Sequence, residues 1–169
     1  MQDKKLINQL QQNLPVFEIL LSGLPEEVYR WKPTPKKWCL LEIVCHLYDE
    51  ETEDFRARTK HVLETPDLPL PPIDPEGWVK KRDYYNQNYG EVLQNFLTER
   101  ENSVKWLNSL QNPLWNNAYL HLQFGPLSAG LFLTNWVAHD FLHIRQITKL
   151  KYDLLGLWSD RPLIYAGEW

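Results

Sequence analysis

The chain has 169 residues, 43% of them hydrophobic and 24% charged, which is the size and composition of one globular domain expected to span residues 1–169. Its formal net charge of −4 argues against a nucleic-acid binder, which would carry a basic face. Two cysteines, Cys39 and Cys45, make no CxxC pair and no disulfide framework. Together with an N-terminus that lacks an apolar signal core, they point to a reducing, cytoplasmic setting.

Leu6, Leu10, Leu14, Phe17 and Leu21 recur at three- and four-residue steps and predict a first helix, which Pro15 should kink or split. Ser22-Gly23 supplies its stop. Pro33-Thr34-Pro35 is a loop, after which a second helix is predicted over residues 39–63, with Leu40, Val44, Leu47, Tyr48, Phe55 and Val62 on its apolar side. Its acids Glu51, Glu53 and Asp54 are assigned to the solvent side. Five prolines between residues 65 and 75 suit a semi-rigid crossover along the bundle. A third helical region is expected over residues 75–110, with Trp78, Tyr85, Tyr89, Val92, Phe96, Val104 and Leu107 buried and Gly90 as a bend. Residues 119–124 are the most strand-like and predict a short extended segment, not a sheet. A last helix is predicted over residues 127–152, too short and too interrupted by Asn135, His139, Asp140 and His143 to span a membrane. The tail, with Trp158, Tyr165 and Trp169, is expected to pack back on the body. Four main helices with one long connection make an all-α bundle.

On the last helix, Phe132, Trp136, His139, His143, Ile147 and Leu150 share one face. Burying two imidazoles without partners costs on the order of a few kcal/mol. An i, i+4 pair is a common way for a helix to offer two metal ligands. The pair alone leaves both metal binding and hydrogen-bonded core packing open. His46 flanks the apolar stripe of the second helix, so its position alone is neutral. His61 reads as surface and His121 as loop or packing. No Ser-His-Asp arrangement, phosphate-binding glycine loop or dinucleotide fingerprint is present.

Trp38, Glu42-Ile43, His46-Leu47 and Asp49-Glu50 resemble the second-helix signature of the DinB-like (DinB/YfiT) superfamily. His139-Asp140-Phe141-Leu142-His143-Ile144-Arg145-Gln146-Ile147 resembles its final-helix signature. Pro71-Pro72-Ile73-Asp74 with Trp78 and Tyr85, and His121 with Phe124-Gly125-Pro126-Leu127-Ser128, extend the likeness over nearly the whole chain. Cys39 departs from the pattern, standing where relatives often carry a Ser cap. The resemblance implies an antiparallel four-helix bundle, often a homodimer, with a long crossover between the second and third helices. It also implies one divalent ion on His46, His139 and His143, with Zn or Ni first and Fe or Mn as alternatives. Relatives of this kind include thiol-dependent S-transferases that use low-molecular-weight thiols, and metal-dependent hydrolases.

Three imidazoles leave a coordination position open for water or a small-molecule substrate. Glu50, one turn from His46, is the candidate base or ligand-positioning group, and Asp49 is less well aligned. The bland reading of both is a solvent-facing acid. Asp140 reads as a salt bridge or surface residue, and Gln146 as a ligand partner or packing. The expected function is a metal-dependent transferase or hydrolase. The alternative is a non-catalytic ligand-binding or structural dimeric bundle.

Overall fold

The computed structural model describes residues 2–169. Helix α1 (Gln2–Leu21) is followed by a single turn, α2 (Glu26–Tyr29). The second long helix comprises α3 (Leu40–Asp49), a π-helical segment (Glu50–Phe55) and α4 (Arg56–Glu64) without interruption. Next come α5 (Pro75–Lys81), a 3-10 turn (Tyr84–Asn86) and α6 (Tyr89–Ser109). A hairpin of β1 (Ala118–His121) and β2 (Gly125–Ser128) leads into α7 (Ala129–Trp158). No helix among the described residues is long and apolar enough to cross a membrane.

Local chemistry sets these boundaries. Asp74, Asn88 and Ser128 each accept a backbone N–H three residues on, from Gly77, Glu91 and Leu131, and so start α5, α6 and α7. Glu42 Oε2 accepts the Cys39 N–H at 2.8 Å, giving α3 a cap that the cysteine alone would not provide. Within the π turn, Thr52 Oγ1 donates to the carbonyls of Tyr48 and Asp49, at 3.0 and 3.3 Å. A hydroxyl that competes for carbonyls in this way loosens the regular ladder.

Contacts fix the helix directions. Phe17 meets Phe96 and the Tyr89 hydroxyl donates to Leu21 O, while Ile7 and Leu10 cluster with Val104 and Leu107, so α1 and α6 are antiparallel. The α3–α4 helix meets α7 through His46 with His143, then Phe55 with Trp136, and is also antiparallel to it. The other two pairings are parallel. Asn13 bonds Asp140 and Lys151 bonds Leu20 O between α1 and α7, while Glu51 and Arg56 meet Arg100 and Ser103 between the second helix and α6. The bundle is thus antiparallel in two of its pairings and parallel in the other two. Residues 65–84 run back along the second helix, with Leu68 O at His61, Pro71 O at Arg58 and Arg82 at Asp49.

Other expectations are corrected in detail. Pro15 neither splits α1 nor ends it, because it lies on the exposed face, where water can reach the carbonyl it cannot serve. The third helical region is broken between α5 and α6, where Asp83 takes a left-handed φ of 48°. That break turns Tyr84 into the core and leaves Tyr85 exposed. The chain is not purely α. β1 and β2 pair antiparallel from Ala118↔Ser128 to His121↔Gly125, and Gly125 has φ 71°. The tail is largely exposed, and of its aromatics Trp169 packs, against Tyr152 at 5.1 Å between ring centroids.

The apolar core has two clusters. One is built around Phe17, Leu41, Val44, Phe96 and Ile147, the other around Leu10, Phe55, Leu133 and Trp136. Each fully buried side chain of this kind contributes on the order of 1.5–3 kcal/mol. A polar network of four helical segments joins the clusters.

Candidate metal centre

The buried face of α7 aims His139 and His143 inward one turn apart, and mid-α3 supplies His46 opposite them. His139 Nε2 lies 3.2 Å from His46 Nε2 and 3.0 Å from His143 Nε2. The candidate ligand atoms of all three lie within 4.8 Å of one another. Trp38 walls the His46 ring at 5.0 Å and Phe55 the His139 ring at 5.0 Å.

Burial holds these imidazoles neutral. It drives the His46 pKa down to about 3 and that of His139 to about 2, with charge repulsion from His143 adding to both; burial lowers His143 as well. Neutral imidazole is the form that ligates a metal. Protein hydrogen bonds leave the trio unsatisfied. Nδ1 of both His46 and His143 is buried without a partner, and the three Nε2 atoms converge on one another. Bonds of about 2.0–2.1 Å from each nitrogen to one cation imply N···N spacings of roughly 2.9–3.4 Å, which the two measured separations match. The residues therefore fit a divalent ion. Imidazole ligands suit Zn, Ni, Fe or Cu alike.

Acidic residues surround the trio in two tiers. Glu50 is buried, with Oε1 3.8 Å from His46 Nδ1. Its carboxyl is pushed up to about 8, first by burial and then by Asp54. Asp54 Oδ1 pairs in turn with Arg58 Nε at 2.8 Å. Asp49 accepts from the Tyr84 hydroxyl at 2.5 Å and pairs with Arg82 at 2.7 Å, facing away from the histidines into the returning segment. Deeper still, Arg100 is fully buried. It holds Asp140 through two bonds of 2.6 and 2.7 Å and Glu51 Oε2 through Nε at 2.9 Å. Trp136 Nε1 donates to the same Glu51 oxygen, and Asn13 to Asp140 Oδ2, both at 2.9 Å.

The sequence profile of the DinB superfamily matches residues 9–147, a span that contains all three histidines. This chain belongs to the DinB superfamily. Among solved structures it is similar to YfiT from Bacillus subtilis, described as "a probable metal-dependent hydrolase with an unusual four-helix bundle topology". The two share 18% identity at a TM-score of 0.78, over 90% of this chain and 87% of that one, so they share a four-helix bundle fold. No match is found among curated proteins.

In this DinB-superfamily chain the remaining histidines stand apart from the trio. His61 Nε2 bonds Leu68 O at 3.0 Å and anchors the returning segment. His121 Nδ1 accepts the N–H groups of Gln123 and Phe124 and closes the hairpin turn. Glu51, expected at the surface, is buried, and so are Asp49 and Glu50, whose bland reading is a solvent-facing acid. Glu51 lies four residues from both Leu47 and Phe55, on the apolar stripe of the helix, and its charge is met there by Arg100 and Trp136, while Asp49 is covered by Tyr84 and Arg82 of the returning segment. Arg100 was legible in principle, as a charge set within the Tyr89, Leu93, Phe96, Ser103, Leu107 stripe. Asp140 forms the expected salt bridge, but in the core and not at the surface.

Proposed function

We propose that this chain binds one divalent ion, Zn or Ni first, on His46, His139 and His143, and uses it in an enzyme acting on a small molecule. Hydrolysis of an ester or amide, or transfer to a low-molecular-weight thiol, are the reactions that the site suits. The observation that carries this is the convergence of three neutral imidazoles, with no fourth His, Cys, Asp or Glu grouped with them among the described residues. Structural zinc sites are closed by four protein ligands, whereas catalytic ones keep a position open. The bound metal would supply Lewis acidity toward a substrate oxygen or sulfur, or toward water. Metal content by mass spectrometry of untagged wild type beside His143→Ala tests the reading. About one ion per chain in the wild type, lost in the variant, is expected. A wild type that holds no ion even after reloading overturns it.

Glu50 is our candidate for taking and returning a proton. It lies one turn from His46, and burial first, then the neighbouring carboxylates Asp54 and Asp49, keep its affinity for protons high. Glu50→Gln is expected to lower turnover by about 10²–10⁴-fold with metal content unchanged. If the variant instead loses metal affinity by about 10–100-fold, Glu50 only positions His46.

A second reading, ligand binding without chemistry, is favoured by the groove of about 610 Å³ that His143 lines. Retention of a small ligand unchanged by the metal-loaded protein would select it.

A further inference from the structure

The groove beside His143 has a consistent chemical character. Trp38 and Trp169 contribute flat apolar walls, and Lys37, Arg145 and Lys149 contribute cationic groups. Lys149 is paired with Asp153, which also lines the groove. Among the described residues Lys37 and Arg145 take part in no ion pair, and both are exposed. The groove therefore carries two uncompensated positive charges on a chain whose net charge is −4. Its volume suits one small molecule. Trp38 forms the inner end, since its ring also packs on His46.

From this we infer that the groove binds a small amphipathic anion, a flat apolar body carrying a carboxylate, with the body against Trp38 and the carboxylate between Lys37 and Arg145. Basic side chains on a rim select charge at modest strength, and the aromatic walls supply contact area indifferent to charge. The ligand class is thus set by the combination. The inference rests on the metal-centre reading only in making this anion the substrate; the binding itself uses no metal.

Calorimetric titration of protein freed of metal and chelator tests it with three probes of one shape: indole-3-acetate, indole-3-acetamide and tryptamine. The acid is expected to bind about tenfold more tightly than the neutral amide, and the cationic amine more weakly still. In Lys37→Gln/Arg145→Gln the acid should fall to the level of the amide, while amide affinity, melting temperature and metal content stay as in the wild type. Equal affinity for acid and amide overturns the proposal. So does absence of binding, or a preference for the acid that survives both substitutions. If the wild type holds no metal yet still selects the acid, the groove stands and the metal-enzyme reading falls.

Discussion

Arg100→Met is expected to destabilise the fold by about 3–5 kcal/mol in chemical denaturation. The guanidinium is 1% exposed and is the one cation between two fully buried acids, Glu51 and Asp140. Methionine fills much of the volume but leaves both carboxylates without their counter-ion, a state that costs far more than the pair contributes. Arg100 also lies within 6 Å of the Phe17, Phe96 and Trp136 rings, so it packs against both apolar clusters. Charge and packing separate in a second variant. Arg100→Met/Glu51→Gln/Asp140→Asn removes all three charges at similar volume and is expected to recover more than half of the loss. A single variant that loses less than about 1 kcal/mol would show that the network is not dry.

The second large effect is a pH dependence tied to His139. In the metal-free protein its pKa is about 2 against an ordinary 6.5, so below pH 6.5 the unfolded chain binds a proton there that the folded chain refuses. Stability contributed by this group is therefore lost as pH falls, at about 1.4 kcal/mol per pH unit. Glu50 has the opposite sign, since its raised carboxyl favours the folded state at low pH and loses that advantage as pH rises toward 8. A comparison with His139→Gln removes such background, because the carboxylates are common to both chains. The wild type should lose about 2.3 kcal/mol relative to the variant between pH 6.5 and 4.5, read from urea midpoints of chelated protein. Parallel profiles would mean that His139 is solvated. Loading with metal should steepen the wild-type curve alone, since protons then displace a ligand as well.

Much of this molecule is readable from residue spacing, and the failures have specific causes. The α1 stripe and the α7 face are α-helical along their whole length, so a 3.6-residue period assigns their buried sides, His139 and His143 included. His46 is neutral by position, and the family resemblance alone marks it as a ligand; only the packing of α3 on α7 brings it to the pair. Glu51 stands four residues from Leu47 and from Phe55, on the apolar stripe, but its charge reads as solvent-facing; only Arg100 on α6 makes the buried position tenable. Arg100 hides in the same way, a charge within the otherwise apolar stripe of its own helix. The hairpin was missed as a sheet because the second strand, Gly-Pro-Leu-Ser, has little strand character of its own and is defined by its partner. Tyr84 and Tyr85 exchanged roles at Asp83, where a single left-handed residue resets the phase of everything after it.

The π turn in the second helix sets a condition on chain length that is separate from side-chain chemistry. An α-helix advances about 100° per residue, and the segment Glu50–Phe55 takes up one residue more than that ladder requires. Removing a single residue there, half-exposed Thr52 or exposed Glu53, would close the wide turn into a regular ladder and leave His46 in phase with Phe55, Thr59 and Val62, because the extra residue is what the wide turn absorbs. Removing a residue from the regular turns on either side would instead rotate His46 by about 100° against those three, and either the histidine would leave its partners on α7 or the lower half of the helix would unseat its packing. The segment thus works as a point of slack, where the residue count can fall by one without changing which residues face one another across the bundle.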